Sequence, residues 1–116
     1  MTLDELKSVN AKWNACVYAA EVMDDWTPIL PGGKGDCDSY ATAKMQDLYN
    51  RGWPLSVMRL ATCFVETGGY HCVLLVDWEG TTWVLDNRRP FPTEYSLLPY
   101  KWDKLQIAGT RAWEEA

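Results

Sequence analysis

The chain has 116 residues, of which 47% are hydrophobic and 23% are charged, a composition typical of one globular domain spanning residues 1–116. Its formal net charge is −5, from 11 basic and 16 acidic side chains. The basic surface that nucleic acids or anionic membranes require is therefore lacking. The apolar run Cys72–Val76 is far too short to span a membrane, and the acidic first ten residues do not form a signal peptide. We therefore expect a cytoplasmic protein that binds neither nucleic acid nor membrane.

The cysteines also favour a reducing compartment. Cys16, Cys37, Cys63 and Cys72 are irregularly spaced, no C-x-x-C pair occurs, and the chain has one histidine. A disulfide framework and a structural zinc site both need more regular patterns than this. We predict reduced thiols, with Cys16, Cys63 and Cys72 in the core.

The predicted elements give a helix–helix–sheet order. Thr2-Leu3-Asp4-Glu5 is a capping box that begins an amphipathic helix extending to about Met23. Prolines and glycines make residues 24–35 a loop, and a second helix starts at Asp36 or Cys37 and stops at Gly52. Strands are predicted over residues 55–65, 71–77, 81–86 and 101–107, with residues 87–100 mostly irregular. This is an α+β layout, in which helices pack on an antiparallel sheet.

Cys37 lies where a helix start can activate a thiol. Unpaired backbone N–H groups and the positive end of the helix dipole both stabilise the nucleophilic thiolate. The N–H of Cys37 itself is a candidate oxyanion donor, and the indole N–H of Trp26 is a candidate second donor. The alternatives are a structural cysteine at a helix start and, for Trp26, a loop aromatic that covers the core.

His71, the single histidine, is predicted to pair with Asp86. If Asp77 and Gly80 face each other across the turn, the register brings Val76 opposite Thr81 and His71 opposite Asp86, close enough to touch. A carboxylate beside an imidazole fixes its tautomer and stabilises the imidazolium. A one-residue slip would separate the two side chains, and Asp86 could instead be a turn residue. With Cys37, the pair supplies the nucleophile, base and orienting acid of thiolate catalysis.

These residues resemble the bacterial transglutaminase-like cysteine proteases of the papain-like superfamily. The resemblance covers residues 24 to about 100, and it rests on the order and spacing of several short motifs. These are Asp25-Trp26-Thr27-Pro28, Gly35-Asp36-Cys37-Asp38, Tyr40-Ala41 with Lys44, Gly52, His71 before Val73–Val76, and Leu85-Asp86-Asn87. It implies catalytic roles for Cys37, His71 and Asp86 and a papain-like fold with the nucleophile helix packed on the sheet. It also implies a protease, as in members that clip surface adhesins in the periplasm and depend on calcium.

The sequence departs from the family pattern at three points. The family is usually exported, whereas this chain shows no signal peptide, so the adhesin substrate does not carry over. Ser39 replaces the second of two acidic residues after the cysteine, and Ile29 stands where a glutamate is usual. Asp36 and Asp38 remain as candidate calcium ligands, or they simply complement the helix N-terminus. The trimmed size suits a minimal version of the fold that a phage could encode.

The leading hypothesis is a cysteine hydrolase that cleaves an amide bond of a protein or peptide through a thioester. No cofactor is needed for the chemistry, and calcium is a candidate ligand. One alternative is a transglutaminase-type acyl transferase, which uses the same thioester and excludes water. The other is a catalytically silent protein-binding module with the same fold.

Overall fold

The computed structural model describes the backbone of residues 1–14 and 36–116 and the side chains of residues 1–14 and 40–116. Helix α1 covers Leu3–Asn14, and the Thr2 hydroxyl accepts a hydrogen bond from the Glu5 N–H at 3.2 Å, as the capping box predicts. Its buried face includes Leu6 and Val9. The predicted extension of this helix to Met23 and the predicted loop 24–35 lie outside the described residues.

Helix α2 covers Asp36–Asn50, which confirms the predicted start. Gly52 follows it with φ = 101°, and its N–H bonds to the Tyr49 carbonyl at 3.0 Å. This left-handed conformation favours glycine, so the helix ends where the sequence indicated. Residues Leu55–Val57 form a 3₁₀ turn and not the start of the strand, which begins three residues later than predicted.

The sheet has six antiparallel strands in the described part of the chain, in the order β4-β3-β2-β1-β5-β6. The strands β4 and β6 were not predicted, because two or three residues are too few to show alternation. Prediction of the other four was correct to within three residues at each end. The strands are β1 Met58–Phe64, β2 Tyr70–Trp78, β3 Thr81–Leu85, β4 Thr93–Glu94, β5 Lys101–Gln106 and β6 Trp113–Glu115.

The predicted register of the β2–β3 hairpin was wrong by two residues. Val76 pairs with Trp83 and not with Thr81, because Glu79 and Gly80 form the two-residue turn. Both turn residues have positive φ, 49° and 80°, as a type I′ turn requires, and glycine suits such a position. A two-residue shift keeps every side chain on its predicted face, whereas a one-residue shift would not.

The sheet is apolar on both faces. Helices α1 and α2 cover one face, where they form a helix-side cluster with strand residues such as Leu74 and Val76. The opposite face carries a far-side cluster that contains Cys63, Val73, Leu98 and Tyr100. Cys63 and Cys72 are buried thiols, as predicted, while Cys16 lies outside the described residues. Within the described ranges, no helix is long and apolar enough to cross a membrane.

Candidate active site

His71 and Asp86 form a buried hydrogen-bonded pair. His71 lies near the start of β2 and is 7% exposed, and its Nε2 lies 2.7 Å from Asp86 Oδ1. An ionised carboxylate can only accept, so Nε2 carries the proton in this hydrogen bond. The predicted contact is therefore present, although the predicted register is not. Continuing the observed register by one residue places Asp86 beside Val73, so that His71 is its diagonal neighbour.

The turn that follows β3 sets the position of Asp86. The Arg89 N–H bonds to the Asp86 carbonyl at 3.2 Å, and the Arg88 N–H donates to Asp86 Oδ1 at 2.9 Å. This is the local side-chain-to-backbone pattern by which aspartate favours turns. The turn and catalytic interpretations of Asp86, which the sequence left as alternatives, are thus compatible, because one carboxylate oxygen serves both partners.

Tyr100 binds the second carboxylate oxygen of Asp86. No role for Tyr100 was predicted from the sequence. Its hydroxyl donates to Asp86 Oδ2 and accepts from Arg88 Nη1 at 3.1 Å. The rings of His71 and Tyr100 meet edge to face, with centroids 6.1 Å apart. Tyr100 lies at the end of a segment predicted to be irregular, where no periodic pattern marks a functional side chain. Only the packing of the far-side cluster brings it to Asp86.

The electrostatics of Asp86 favour its ionised form. Burial raises the pKa of Asp86, but hydrogen bonds from His71, Tyr100 and the Arg88 N–H outweigh burial and hold that pKa below its ordinary value. Burial also raises the pKa of Tyr100, and so does its bond to Asp86. Asp86 is therefore an anion at neutral pH and Tyr100 a neutral donor, which suits a carboxylate that orients His71 and stabilises its imidazolium.

Lys44 is a fully buried titratable side chain on α2. It lies on the core-facing side of α2, is 0% exposed and donates from Nζ to Asn10 Oδ1 at 2.8 Å. Burial lowers the pKa of Lys44 to about 7, although the negative charge of Asp86 acts in the opposite direction. The sequence carries a signal for this feature, because a lysine three residues after Ala41 and four before Leu48 shares their buried face.

Cys37 lies in the first turn of α2, and α2 packs against β2. Its backbone N–H is one of the first four of the helix, which have no intrahelical acceptor. The side chains of Asp36, Cys37 and Asp38 lie outside the described residues, as does Trp26. Among the described side chains, no group of three or more metal-ligating residues occurs.

Replacing Tyr100 with phenylalanine tests the hydrogen bond from the Tyr100 hydroxyl to Asp86. Phenylalanine keeps the ring contacts with His71 and Trp102 but removes the hydroxyl that donates to Asp86. We expect the free energy of unfolding to fall by about 1–3 kcal/mol at pH 7, the usual cost of leaving a buried acceptor short of a donor. Urea unfolding measures the change, and Tyr49→Phe, at an exposed site on α2, is the control. Equal stability of Y100F and the wild type would contradict this account.

Comparisons with known proteins concern the family and the fold of the chain. The model of a family described as bacterial transglutaminase-like cysteine proteinase matches residues 1–115. Two structures of LapG from Legionella pneumophila, one EGTA-treated and one calcium-bound, are 20% identical with TM-scores of 0.66. The matches cover 97% of this chain and 70% and 71% of those chains.

Another LapG structure is 19% identical with a TM-score of 0.64, covering 87% of this chain and 61% of that one. The chain thus spans less than two thirds of that LapG chain. The comparison with curated proteins gave no match. At these identities the LapG structures establish the fold, which is the predicted transglutaminase-like α+β arrangement of helices on an antiparallel sheet.

Proposed function

Because this chain belongs to the bacterial transglutaminase-like cysteine proteinase family, we propose that it is a cysteine peptidase that cleaves an amide bond of a protein or peptide. The observation that carries the proposal is the buried pair of His71 and Asp86, 2.7 Å apart. Cys37 is the nucleophile, His71 the general base and acid, and Asp86 the residue that orients His71. Residues 1–116 form the single domain that performs the reaction.

The pair assigns separate tasks to the two ring nitrogens of His71. Nε2–H stays bonded to Asp86, and Nδ1 exchanges the proton with Cys37. The Cys37 thiolate attacks the carbonyl carbon, the C–N bond breaks, and His71 gives its proton to the leaving amine. Water then attacks the thioester carbon while His71 removes a proton from the water. The C–S bond breaks, the carboxylic acid leaves, and the proton on His71 is again shared with the Cys37 sulfur.

The oxygen of the tetrahedral intermediate carries a negative charge, which hydrogen-bond donors already in position stabilise. The backbone N–H of Cys37 is one such donor, since the start of α2 leaves it without an intrahelical acceptor. The indole N–H of Trp26 is the second donor in this proposal. The same helix start stabilises the thiolate, so one structural feature serves both the attack and the charge that develops.

Calcium is proposed as a structural ligand at the start of α2. Asp36 and Asp38 supply hard carboxylate oxygens, which fit calcium in kind, although calcium takes six to eight ligands in all. A LapG structure described as calcium-bound shares the fold. Two carboxylates beside Cys37 oppose its ionisation, and a bound divalent cation would neutralise them. The catalytic steps themselves use only side chains and backbone of the chain.

The test is cleavage of a peptide library, read by mass spectrometry, by the wild type, Cys37→Ala and His71→Ala. We expect each variant to abolish cleavage while its circular dichroism spectrum stays native, because one lacks the nucleophile and the other the proton carrier. Cleavage at the wild-type rate by either variant would contradict the proposed catalytic roles of Cys37 and His71.

Alkylation of Cys37 gives a second readout that needs no substrate. An ion pair with His71 predicts a rate profile whose midpoint lies below pH about 8.5, the pKa of a free thiol. His71→Ala is expected to return the midpoint to that value. The buried Cys63 and Cys72 are internal controls, and calcium added against EGTA is expected to lower the midpoint further. An ordinary profile for Cys37 in both conditions would favour a silent binding module.

A further inference from the structure

The turn that carries Asp86 is tied to helix α1. Asn14 Nδ2 donates to the Asp86 carbonyl at 3.1 Å and to the Arg89 carbonyl at 3.0 Å. Asn10, one helical turn earlier, donates from Nδ2 to the same Arg89 carbonyl at 3.1 Å. Two asparagines at i and i+4 therefore hold the ends of the Asp86–Arg89 turn from one face of α1.

Lys44 fixes the orientation of the Asn10 amide. In its ammonium form Lys44 can only donate, so Asn10 turns its oxygen toward Lys44 and its NH₂ toward the Arg89 carbonyl. A buried ammonium costs several kcal/mol unless it is well compensated, and a leucine or methionine would fill this core position without that cost. A lysine at this position therefore holds the Asn10 amide with its oxygen toward Lys44 and its NH₂ toward the Arg89 carbonyl.

We infer that Asn10, oriented by Lys44, is a positioning residue for Asp86 and hence for His71. The hydrogen bonds run from Lys44 on α2 to Asn10 on α1, and from Asn10 to the turn that carries the carboxylate. The positioning of Asp86 and His71 does not depend on the proposed function. Only the further step, that an oriented His71 makes Cys37 reactive, rests on it.

The decisive variant is Asn10→Asp. It keeps the size of the side chain and an acceptor for Lys44, but it replaces the NH₂ donor with an oxygen that faces the Arg89 carbonyl. The Lys44 contact is retained while the link to the turn is cut. Asn50→Asp is the matched control, because it makes the same chemical change at an exposed position at the end of α2.

The readout is the exchange of the His71 Nε2 proton with water, measured by NMR on the full ¹⁵N-labelled chain. The single histidine gives one set of ring signals. We expect exchange at least ten-fold faster in N10D than in the wild type, and no change in N50D. A purely structural role for Asn10 would lower the melting temperature and leave the exchange rate of the folded protein unchanged, which would overturn the inference.

Lys44→Met is the second variant, in case N10D does not fold. It removes the ammonium at nearly constant volume and leaves Asn10 held only at the Arg89 end, so we expect exchange about three-fold faster. Unchanged exchange in K44M would then overturn the inference. Faster exchange in either variant, together with an ordinary alkylation profile of wild-type Cys37, would support the positioning role and contradict the peptidase.

Discussion

Replacing Asp86 with alanine is expected to lower turnover of any peptide that the wild type cleaves by about 10³- to 10⁴-fold, the usual effect of losing the orienting acid of a triad. In the proposed mechanism the loss has two causes. His71 Nε2 loses the acceptor 2.7 Å away that orients its ring, and the imidazolium loses its counter-ion. Initial rates at saturating peptide measure the effect, because a loss of orientation lowers kcat more than it raises KM.

Asp77→Ala is the matched control for this variant. Asp77 lies near the other end of β2, is exposed and accepts a hydrogen bond from Thr82. D86A also leaves the Tyr100 hydroxyl and the Arg88 N–H without their acceptor, so the rates are compared at a temperature where circular dichroism shows both variants folded. Turnover by folded D86A within three-fold of D77A would exclude Asp86 from the mechanism.

Replacing Lys44 with methionine is expected to change how stability depends on pH. The pKa of Lys44 is about 7 in the folded protein and 10.5 in the unfolded chain. Between these values the unfolded chain binds a proton that the folded chain does not, so the wild type loses stability as the pH falls from 10.5 toward 7. K44M lacks this proton linkage. Its stability relative to the wild type should therefore rise by about 1.4 kcal/mol for each pH unit lowered, and level off below pH 7.

Urea unfolding at pH 7 and pH 8.5 measures the effect before the tyrosines titrate. The difference between variant and wild type isolates Lys44 from other groups that titrate in both proteins. At any single pH, K44M also loses the hydrogen bond to Asn10, which costs about 1–3 kcal/mol and does not vary with pH in this window. Lys7→Met, at an exposed position on α1, is the control and should keep the pH dependence of the wild type. The same dependence in K44M would contradict the lowered pKa of Lys44 in the folded protein.

The sequence predicted those parts of the fold that depend on local pattern. The capping hydroxyl of Thr2, the start of α2 at Asp36 and the stop at Gly52 each follow from one or two residues, and all three are present. The hairpin register failed because the choice between two turns depends on where positive φ is allowed. Gly80 gave that signal, since glycine suits the second position of a type I′ turn.

The features of the candidate site that the sequence did not predict depend on contacts between residues far apart in the chain. The pairing of His71 with Asp86 was predictable because a hairpin joins them, and an even shift of register leaves both on one face. Tyr100 reaches Asp86 only through the packing of the far-side cluster, which local pattern does not encode. Asn10 is 79 residues from its partner Arg89, and its polar side chain on a buried helix face was the one local sign of a tertiary role.

The contacts of Asp86 come from both sides of the sheet: Asn14 on α1 binds its backbone carbonyl, and Tyr100 of the far-side cluster binds its carboxylate. The site is therefore complete only when both layers are assembled. A nascent chain on the ribosome that has not yet exposed residue 100 carries His71 and Asp86 but lacks the hydroxyl that binds Asp86 Oδ2. A fragment without α1 lacks the Asn14 contact, so the full set of Asp86 contacts forms with the last layer to pack and is lost with the first to open.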